Sequence, residues 1–404
     1  MDKRSVAIIF DRLGPYHVAR LKAAAGLLHV VALEVCAVSD EYAWDKIDDV
    51  SGFQRKTLFA AAEGDSSRQE PAGIRERIEA ALHEANPEAV FVPGWTSPAA
   101  LAALRWCLAN KRPAILMSET TAFDEPRKWY REKIKSRIVR LFSAALVGGK
   151  LHADYLVALG LSRSRVFLGY DAVDNDYFAR SASRIRNQSA QVREKYQLPE
   201  SYFLASARFI EKKNLPVLVR AHADYRRAAG ESAWKLVLLG DGPLRSDLER
   251  VVSDLNANDW VIMPGFKQYA ELPIYYSLAG AFVHASITEQ WGLVVNEAMA
   301  SRLPVLVSNR CGCAAELVSE AENGFTFDPT SSKALAELML RLASIPVERR
   351  QEMGEVSERI ISGFAPQHFA GGAERAVETT LRVEKPRLRA FDALLLNILT
   401  SRWV

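Results

Sequence analysis

The 404-residue chain is too long for one ordinary hydrophobic core, and two domains are the simplest expectation. With 49% hydrophobic and 25% charged residues it lies near globular averages, which excludes a disordered or fibrous class, and a formal net charge of +3 is too small to argue for nucleic acid. Cys36, Cys107, Cys311 and Cys313 fit neither a disulfide framework nor a zinc site, so reduced thiols in a cytoplasmic protein are expected.

The opening apolar run stops at Asp11-Arg12, too soon for a signal-peptide core, and no run reaches the roughly 18 to 20 apolar residues that span a bilayer. Beyond it, short β-branched runs alternate with helix-periodic stretches, the pattern of parallel sheets with crossover helices. In the first half, strands are expected at 6–10, 30–35, 89–92, 114–117, 144–147 and 166–168. Loops at the carboxyl edge of such a sheet are where open α/β folds take ligands. In the first of them, 10–17 (FDRLGPYH), Gly14 with Pro15 makes a tight turn, and His17 either meets phosphate or acceptor or caps the helix. No Gly-x-Gly-x-x-Gly follows the strand, so a nicotinamide cofactor is not expected. Trp95 either stacks on an acceptor sugar or packs. Glu119 is either an acceptor-side group or part of a helix-capping Ser-Glu-Thr-Thr run.

Residues 127–142 (RKWYREKIKSRIVRLF) carry seven Lys or Arg against one Glu. On a helix, Tyr130, Ile134, Ile138 and Leu141 share one face. Such a helix suits an anionic membrane surface; the alternative is that its apolar face packs on the sheet while the cations stay solvated. Asp174-Asn175-Asp176 has the Asp-x-Asp form that can hold a divalent cation on a diphosphate, but it lies far from the donor-side motifs below and reads as a crossover loop. The stretch 179–199, rich in Arg, Ser, Asn and Gln, reads as a linker between a first unit, 1–180, and a second, 181–375. The helical end, 376–404, is expected to return to the first unit.

In the second half, strands are expected at 202–207, 235–239, 260–263, 281–284, 305–307 and 324–327. The segment 281–316 is the most informative. A strand runs into a loop with Glu289, and Gly292 and Leu293 open a helix that carries Glu297. The start of a helix presents N–H groups and partial positive charge, so Gly292, Leu293 and Val294 make a seat for phosphate. Glu289 then faces a sugar hydroxyl and Glu297 the ribose, unless Glu297 simply lies on an exposed helix face. Arg208 and Lys213, taken by themselves, can be read as a solvated helix start. Gly240 and Gly242 read first as turn formers.

The run EQWGLVVNEAMASRLPVLVS resembles the donor-site signature of family-4 glycosyltransferases, and ARFIEKKN (207–214) and LGDGPLR (239–245) resemble two further blocks of that family. The resemblance spans the second half. It implies a retaining hexosyltransferase of GT-B fold: two tandem Rossmann-like domains with a cleft between them, the acceptor in the first and the donor in the second. It implies that Arg208 and Lys213 grip the donor diphosphate, that Glu297 meets the ribose and Glu289 the transferred sugar, and that Gly14 lies beside the leaving phosphate. Base contacts fall near Gly265, Phe266 and Lys267. No metal or other cofactor is implied, since two cations and a helix start stabilise the departing diphosphate. The chain departs from the family at Gln290-Trp291, where Gly-Phe is usual, and at Ser301-Arg302, where one residue is usually Gly.

The expected partners are a nucleoside-diphosphate sugar and a saccharide or lipid-linked acceptor, as in surface polysaccharide or glycolipid synthesis, on the cytoplasmic side and peripheral to the membrane. Nucleic acid is not expected. The rival readings are a nucleotide-sugar epimerase or hydrolase on the same fold and a non-catalytic nucleotide-sugar-binding scaffold.

Overall fold

The computed structural model describes residues 3–38, 44, 45, 47, 51–60, 63, 64, 69–384, 386 and 388–401. It divides into two compact units, one of Met1–Val173 with Ala365–Val404 and one of Asp174–Phe364.

The first unit is built on a parallel sheet of β1 (Ser5–Phe10), β2 (His29–Cys36), β3 (Gln54–Phe59), β4 (Ala89–Pro93), β5 (Ala114–Ser118), β6 (Ala144–Val147) and β7 (Val166–Leu168), in the order β3-β2-β1-β4-β5-β6-β7. Helices cover both faces, so the central strands read as unbroken apolar runs rather than alternating ones. In β1, residues from Val6 through Phe10 are all buried. The register is fixed at the centre, where Val6 lies opposite both Val30 and Ala89.

The second unit repeats the plan with β8 (Tyr202–Ser206), β9 (Lys235–Leu239), β10 (Val261–Gly265), β11 (Ala281–His284), β12 (Val305–Ser308) and β13 (Gly324–Phe327), ordered β10-β9-β8-β11-β12-β13 and again parallel. In each sheet the winding reverses beside the first strand, between β1 and β4 and between β8 and β11. There the loops leaving two neighbouring strands diverge and open a crevice at the carboxyl edge.

Every strand expected from the apolar runs is present, and among the described residues one further strand was missed. β3 (QRKTLF) is an edge strand whose first four residues are polar. Its Arg55 and Thr57 side chains turn to the buried Glu34 of β2, with Arg55 Nη2 and Thr57 Oγ1 each 2.7 Å from Glu34 Oε2.

The expected linker is helical. Asn175–Arg186 buries Phe178, Ser181 and Ala182 within the second unit, and Arg186 Nε donates to the Ser277 carbonyl at 3.0 Å. Its polar composition belongs to exposed faces, which moves the division to Val173/Asp174. The second division moves likewise, to Phe364/Ala365. The helix Pro366–Arg382 packs on Pro15–Leu27, and Gly372 lies so close to β7 that a Cβ there would be 2.4 Å from the Leu168 carbonyl oxygen. The helix Ala390–Ser401 packs on Pro98–Ala109 through the buried Leu396, and its Asp392 pairs with Arg137 at 2.6 Å.

The basic segment forms the helix Trp129–Val139, but its apolar residues do not share one buried face. Ile138 and Val139 are buried, as are Leu141 and Phe142 just beyond, while Trp129 is 78% exposed, Tyr130 45% and Ile134 37%. Only the carboxyl end of the helix meets the core. No helix among the described residues is long and apolar enough to cross a membrane.

Candidate functional site

The site grows from the reversal between β8 and β11. Past β8 the chain runs through Arg208, exposed on the surface, into a tight turn at Glu211–Lys213. Asn214 takes a left-handed conformation at φ 57° and starts the helix Leu215–Ala229. The Asn214 side chain is buried and donates to the carbonyls of Ala285, at 3.1 Å, and Pro329, at 2.8 Å. The amide of Ile287 donates to the Lys212 carbonyl at 2.8 Å. These bonds tie the β8 loop to the β11 loop.

The charges meet at Glu289. The Lys213 ammonium forms an ion pair with its Oε2, and Lys212 Nζ lies 3.2 Å from its Oε1. Burial opposes the charge on Glu289, yet the His284 contact and the Lys213 and Lys212 ammoniums outweigh it, holding the carboxyl well below its ordinary range. His284 is itself fully enclosed, and burial, opposed by Glu289 and reinforced by the two lysines, holds its pKa below the ordinary histidine value and so favours the neutral ring. The backbone around Glu289 is held by a short parallel pairing with 310–313: the Glu289 amide donates to the Arg310 carbonyl at 3.2 Å, and Gly312 donates back to the Glu289 carbonyl at 3.0 Å. Lys213 is therefore no solvated helix-start cation.

Gly292 caps the helix Leu293–Ala300 at φ 106°, a conformation other residues rarely adopt. A Cβ there would lie 3.2 Å from His284 Nε2. Gly292, Leu293 and Val294 are half-buried, so the amide-rich start reaches the surface, while Glu297 one turn on is fully buried. The exposed-face alternative for Glu297 therefore fails. Its Oε2 accepts from the Tyr276 hydroxyl at 2.6 Å, and burial, with the neighbouring carboxylate, holds the Tyr276 phenol well above its usual pKa. Trp291 is buried and donates from Nε1 to Asn296 at 2.9 Å, which makes it a packing anchor for the loop.

The turn reading of Gly240 and Gly242 holds. A Cβ on Gly240 would fall 1.8 Å from the Ala207 carbonyl oxygen and one on Gly242 2.7 Å from that of Phe209, so the loops after β8 and β9 touch backbone to backbone. Gly265 accepts from the Gly240 amide at 3.1 Å, Phe266 is partly exposed, and Lys267 lies over the Tyr275 ring, 5.7 Å from its centre.

In the first unit, Gly14 and His17 meet directly. The Gly14 amide donates to His17 Nδ1 at 3.0 Å, so the imidazole caps the helix Pro15–Leu27, and burial together with Arg20 pushes its pKa down to about 3. The loop is pinned from below by the buried Glu34, whose Oε1 accepts from the Leu13 amide at 2.8 Å. Trp95 is only 6% exposed and belongs to the core, so of its two expected roles the structure shows packing. Glu119 is half-buried on the loop after β5. No helix starts there: Ser118 Oγ accepts from the Thr120 amide at 3.2 Å in a turn, and the next helix begins at Trp129, so the capping alternative is corrected. Asp174 caps the helix Asn175–Arg186 by accepting from the Tyr177 amide at 2.9 Å, Asn175 donates to the Ile361 carbonyl at 2.8 Å and Asp176 pairs with Arg180 at 2.9 Å. The Asp-x-Asp element is the first turn of a helix, rather than a loop.

Sequence reasoning missed His284, Ser286, Lys212 and Tyr276. The first two leave the strand at the reversal point, where position alone could have singled them out. Lys212 adjoins Lys213, and Tyr276 is brought to Glu297 only by the fold.

Residues 188–359 match the family model described as Glycosyl transferases group 1. Among curated relatives, the chain is 33% identical over 101 residues to alpha-monoglucosyldiacylglycerol synthase of Acholeplasma laidlawii, covering 25% of each chain. It is 30% identical over 190 residues to the GDP-mannose-dependent alpha-(1-6)-phosphatidylinositol monomannoside mannosyltransferase of Mycolicibacterium smegmatis, covering 45% of this chain and 48% of that one. The matched stretches thus span less than half the length of either relative. Among solved structures, Anabaena HepE in complex with UDP superposes with a TM-score of 0.69 at 15% identity, over 94% of this chain and 100% of that one. The two-unit α/β fold expected from the sequence, GT-B, is the fold of these structures.

Proposed function

We propose that this chain is a retaining glycosyltransferase, of family-4 type, that moves a hexose from a nucleoside-diphosphate sugar to a saccharide or lipid-linked acceptor in glycolipid or surface polysaccharide synthesis. The carrying observation is the cluster of Lys213, Lys212 and the buried, ionised Glu289 beside the glycine-started helix at 292. Departure of the diphosphate develops negative charge on its bridging oxygen. Arg208, Lys213 and the first amides of that helix, at Leu293 and Val294, stabilise it without a metal. Glu289 accepts from a hydroxyl of the transferred sugar and Glu297 from the ribose, while Gly265, Phe266 and Lys267 flank the base. In the first unit, Gly14 is assigned to the leaving phosphate and His17 and Glu119 to the acceptor. The names of the two curated relatives favour a lipid-linked acceptor.

The test is direct: the protein is incubated with UDP-, GDP- and ADP-sugars and with diacylglycerol, phosphatidylinositol or oligosaccharide acceptors, and products are read by mass spectrometry. A new glycoside with retained anomeric configuration is expected. Release of free or epimerised sugar with no acceptor dependence would instead favour the epimerase or hydrolase reading. A donor held at about 100 times its dissociation constant should also add about 2.7 kcal/mol to stability.

A second reading concerns where the protein works. Trp129, Tyr130 and Ile134 are exposed on a helix whose Lys128, Arg131 and Lys133 are exposed too. This combination supports docking on an anionic membrane surface from the cytoplasmic side.

A further inference from the structure

Glu289 has two kinds of partner. Its ion pair with Lys213 uses an ammonium that the proposed reaction needs on the diphosphate, so that contact must loosen when donor arrives. Behind it stand two uncharged groups. Ser286 is fully buried and its hydroxyl donates to Glu289 Oε2 at 3.3 Å. The same Ser286 oxygen lies 3.4 Å from His284 Nε2, while His284 Nε2 is 3.7 Å from the carboxylate itself, beyond hydrogen-bond reach.

A hydroxyl has one proton to give. With that proton directed at the carboxylate, Ser286 has only lone pairs to offer His284, so the imidazole proton must sit on Nε2. We infer that His284 and Ser286 form a neutral relay, Nε2–H to Oγ–H to carboxylate, that positions Glu289 toward the donor sugar once Lys213 has turned to the diphosphate. The inference rests on the reading that Glu289 meets the transferred sugar, and it makes His284 and Ser286 positioning residues. Lys212, on the other carboxylate oxygen, supplies the remaining charge compensation. Gly292 suits the arrangement because a side chain there would press on His284 Nε2.

The relay is tested with His284→Phe, which keeps ring bulk and loses the donor, His284→Gln, whose amide restores a donor near the same place, Ser286→Ala, and the double variant His284→Phe/Ser286→Ala. Loss of the bond to the carboxylate should lower kcat about tenfold in Ser286→Ala, and loss of the histidine donor that orients the serine should lower it by a similar amount in His284→Phe. Donor KM and nucleoside-diphosphate affinity should stay within about twofold, His284→Gln should recover most of the rate, and the double variant should be little worse than either single one. Full kcat in His284→Phe overturns the relay. So does a loss that glutamine does not rescue and that falls in step with melting temperature and nucleotide affinity. A readout independent of turnover is nitrogen-15 NMR of labelled histidine in the ligand-free protein: Nε2 should carry the proton and its resonance should move in Ser286→Ala. A proton on Nδ1 refutes the proposal even in an active enzyme. Absence of any glycoside product from the unsubstituted protein refutes the transferase reading instead, and the spectrum still decides the relay.

Discussion

Tyr276 donates its hydroxyl proton to Glu297 at 2.6 Å, and neither side chain is exposed. Glu297 is thus held by a group on the helix Leu272–Leu278, which precedes β11, and its carboxyl oxygen depends on that donor. Tyr276→Phe should cost about 1 to 3 kcal/mol of stability, because a buried carboxylate loses a partner. It should also weaken nucleoside-diphosphate binding with little change in kcat at saturating donor. Urea unfolding and titration calorimetry check both parts, and unchanged nucleotide affinity would remove Glu297 from the ribose.

Lys213→Ala should lower turnover by roughly 10² to 10³ while leaving the fold intact, since Lys212 and Ser286 still compensate Glu289. Steady-state kinetics beside a thermal melt makes the comparison. A stable, fully active variant would contradict the assignment.

His222 bonds through Nε2 to the Trp234 carbonyl at 2.9 Å; burial pushes its pKa down from 6.5 to about 4, with that bond acting the other way. Between those values the unfolded chain binds a proton that the folded chain excludes. Stability therefore rises with pH and is lost on acidification through this window. In His222→Gln the pH slope of stability should fall by up to about 1.4 kcal/mol per unit there. Urea unfolding across the window reads it, and parallel profiles for the two proteins would refute it.

Trp129→Ala and a Lys128→Glu/Arg131→Glu/Lys133→Glu variant should each bind anionic vesicles more weakly than the parent protein. The loss should be about fivefold or more for each reversed charge and should shrink in high salt. Sedimentation with anionic and zwitterionic vesicles distinguishes this from fold damage. Equal binding by all three proteins would end the membrane reading.

Gly240→Ala places a methyl against the Ala207 carbonyl at φ 126°. A loss of roughly 3 to 5 kcal/mol is expected, at the upper end for single substitutions. A near-neutral result by urea unfolding would mean that the loops after β8 and β9 can part without cost.

The sheets were legible because their central strands are covered on both faces and so read as apolar runs; β3 was not, because Arg55 and Thr57 answer to Glu34 rather than to a helix. Lys213 and Glu289 were singled out because ARFIEKKN and EQWGLVVNEAMASRLPVLVS resemble donor-site blocks of family-4 glycosyltransferases, and Glu289 also because it lies on the loop before a glycine-started helix. Tyr276, His284 and Ser286 were not, since no local pattern says which buried polar group meets which carboxylate. The unit divisions were misplaced for a compositional reason. Arg184 and Arg186 give the stretch after 179 a linker's appearance, although they lie in the last turn of a helix that buries Phe178 and Ala182.

The helix Pro366–Arg382 belongs to the unit that begins at the other end of the chain. It places Phe369, Ala373 and Val377 in one cluster with Val6 and Ile8. During synthesis, the unit begun first cannot close until the ribosome has passed the whole of the other, which is contiguous and free to fold meanwhile. A released fragment ending at residue 364 should therefore carry protease-resistant residues 174–364 behind a still-cleavable amino-terminal portion.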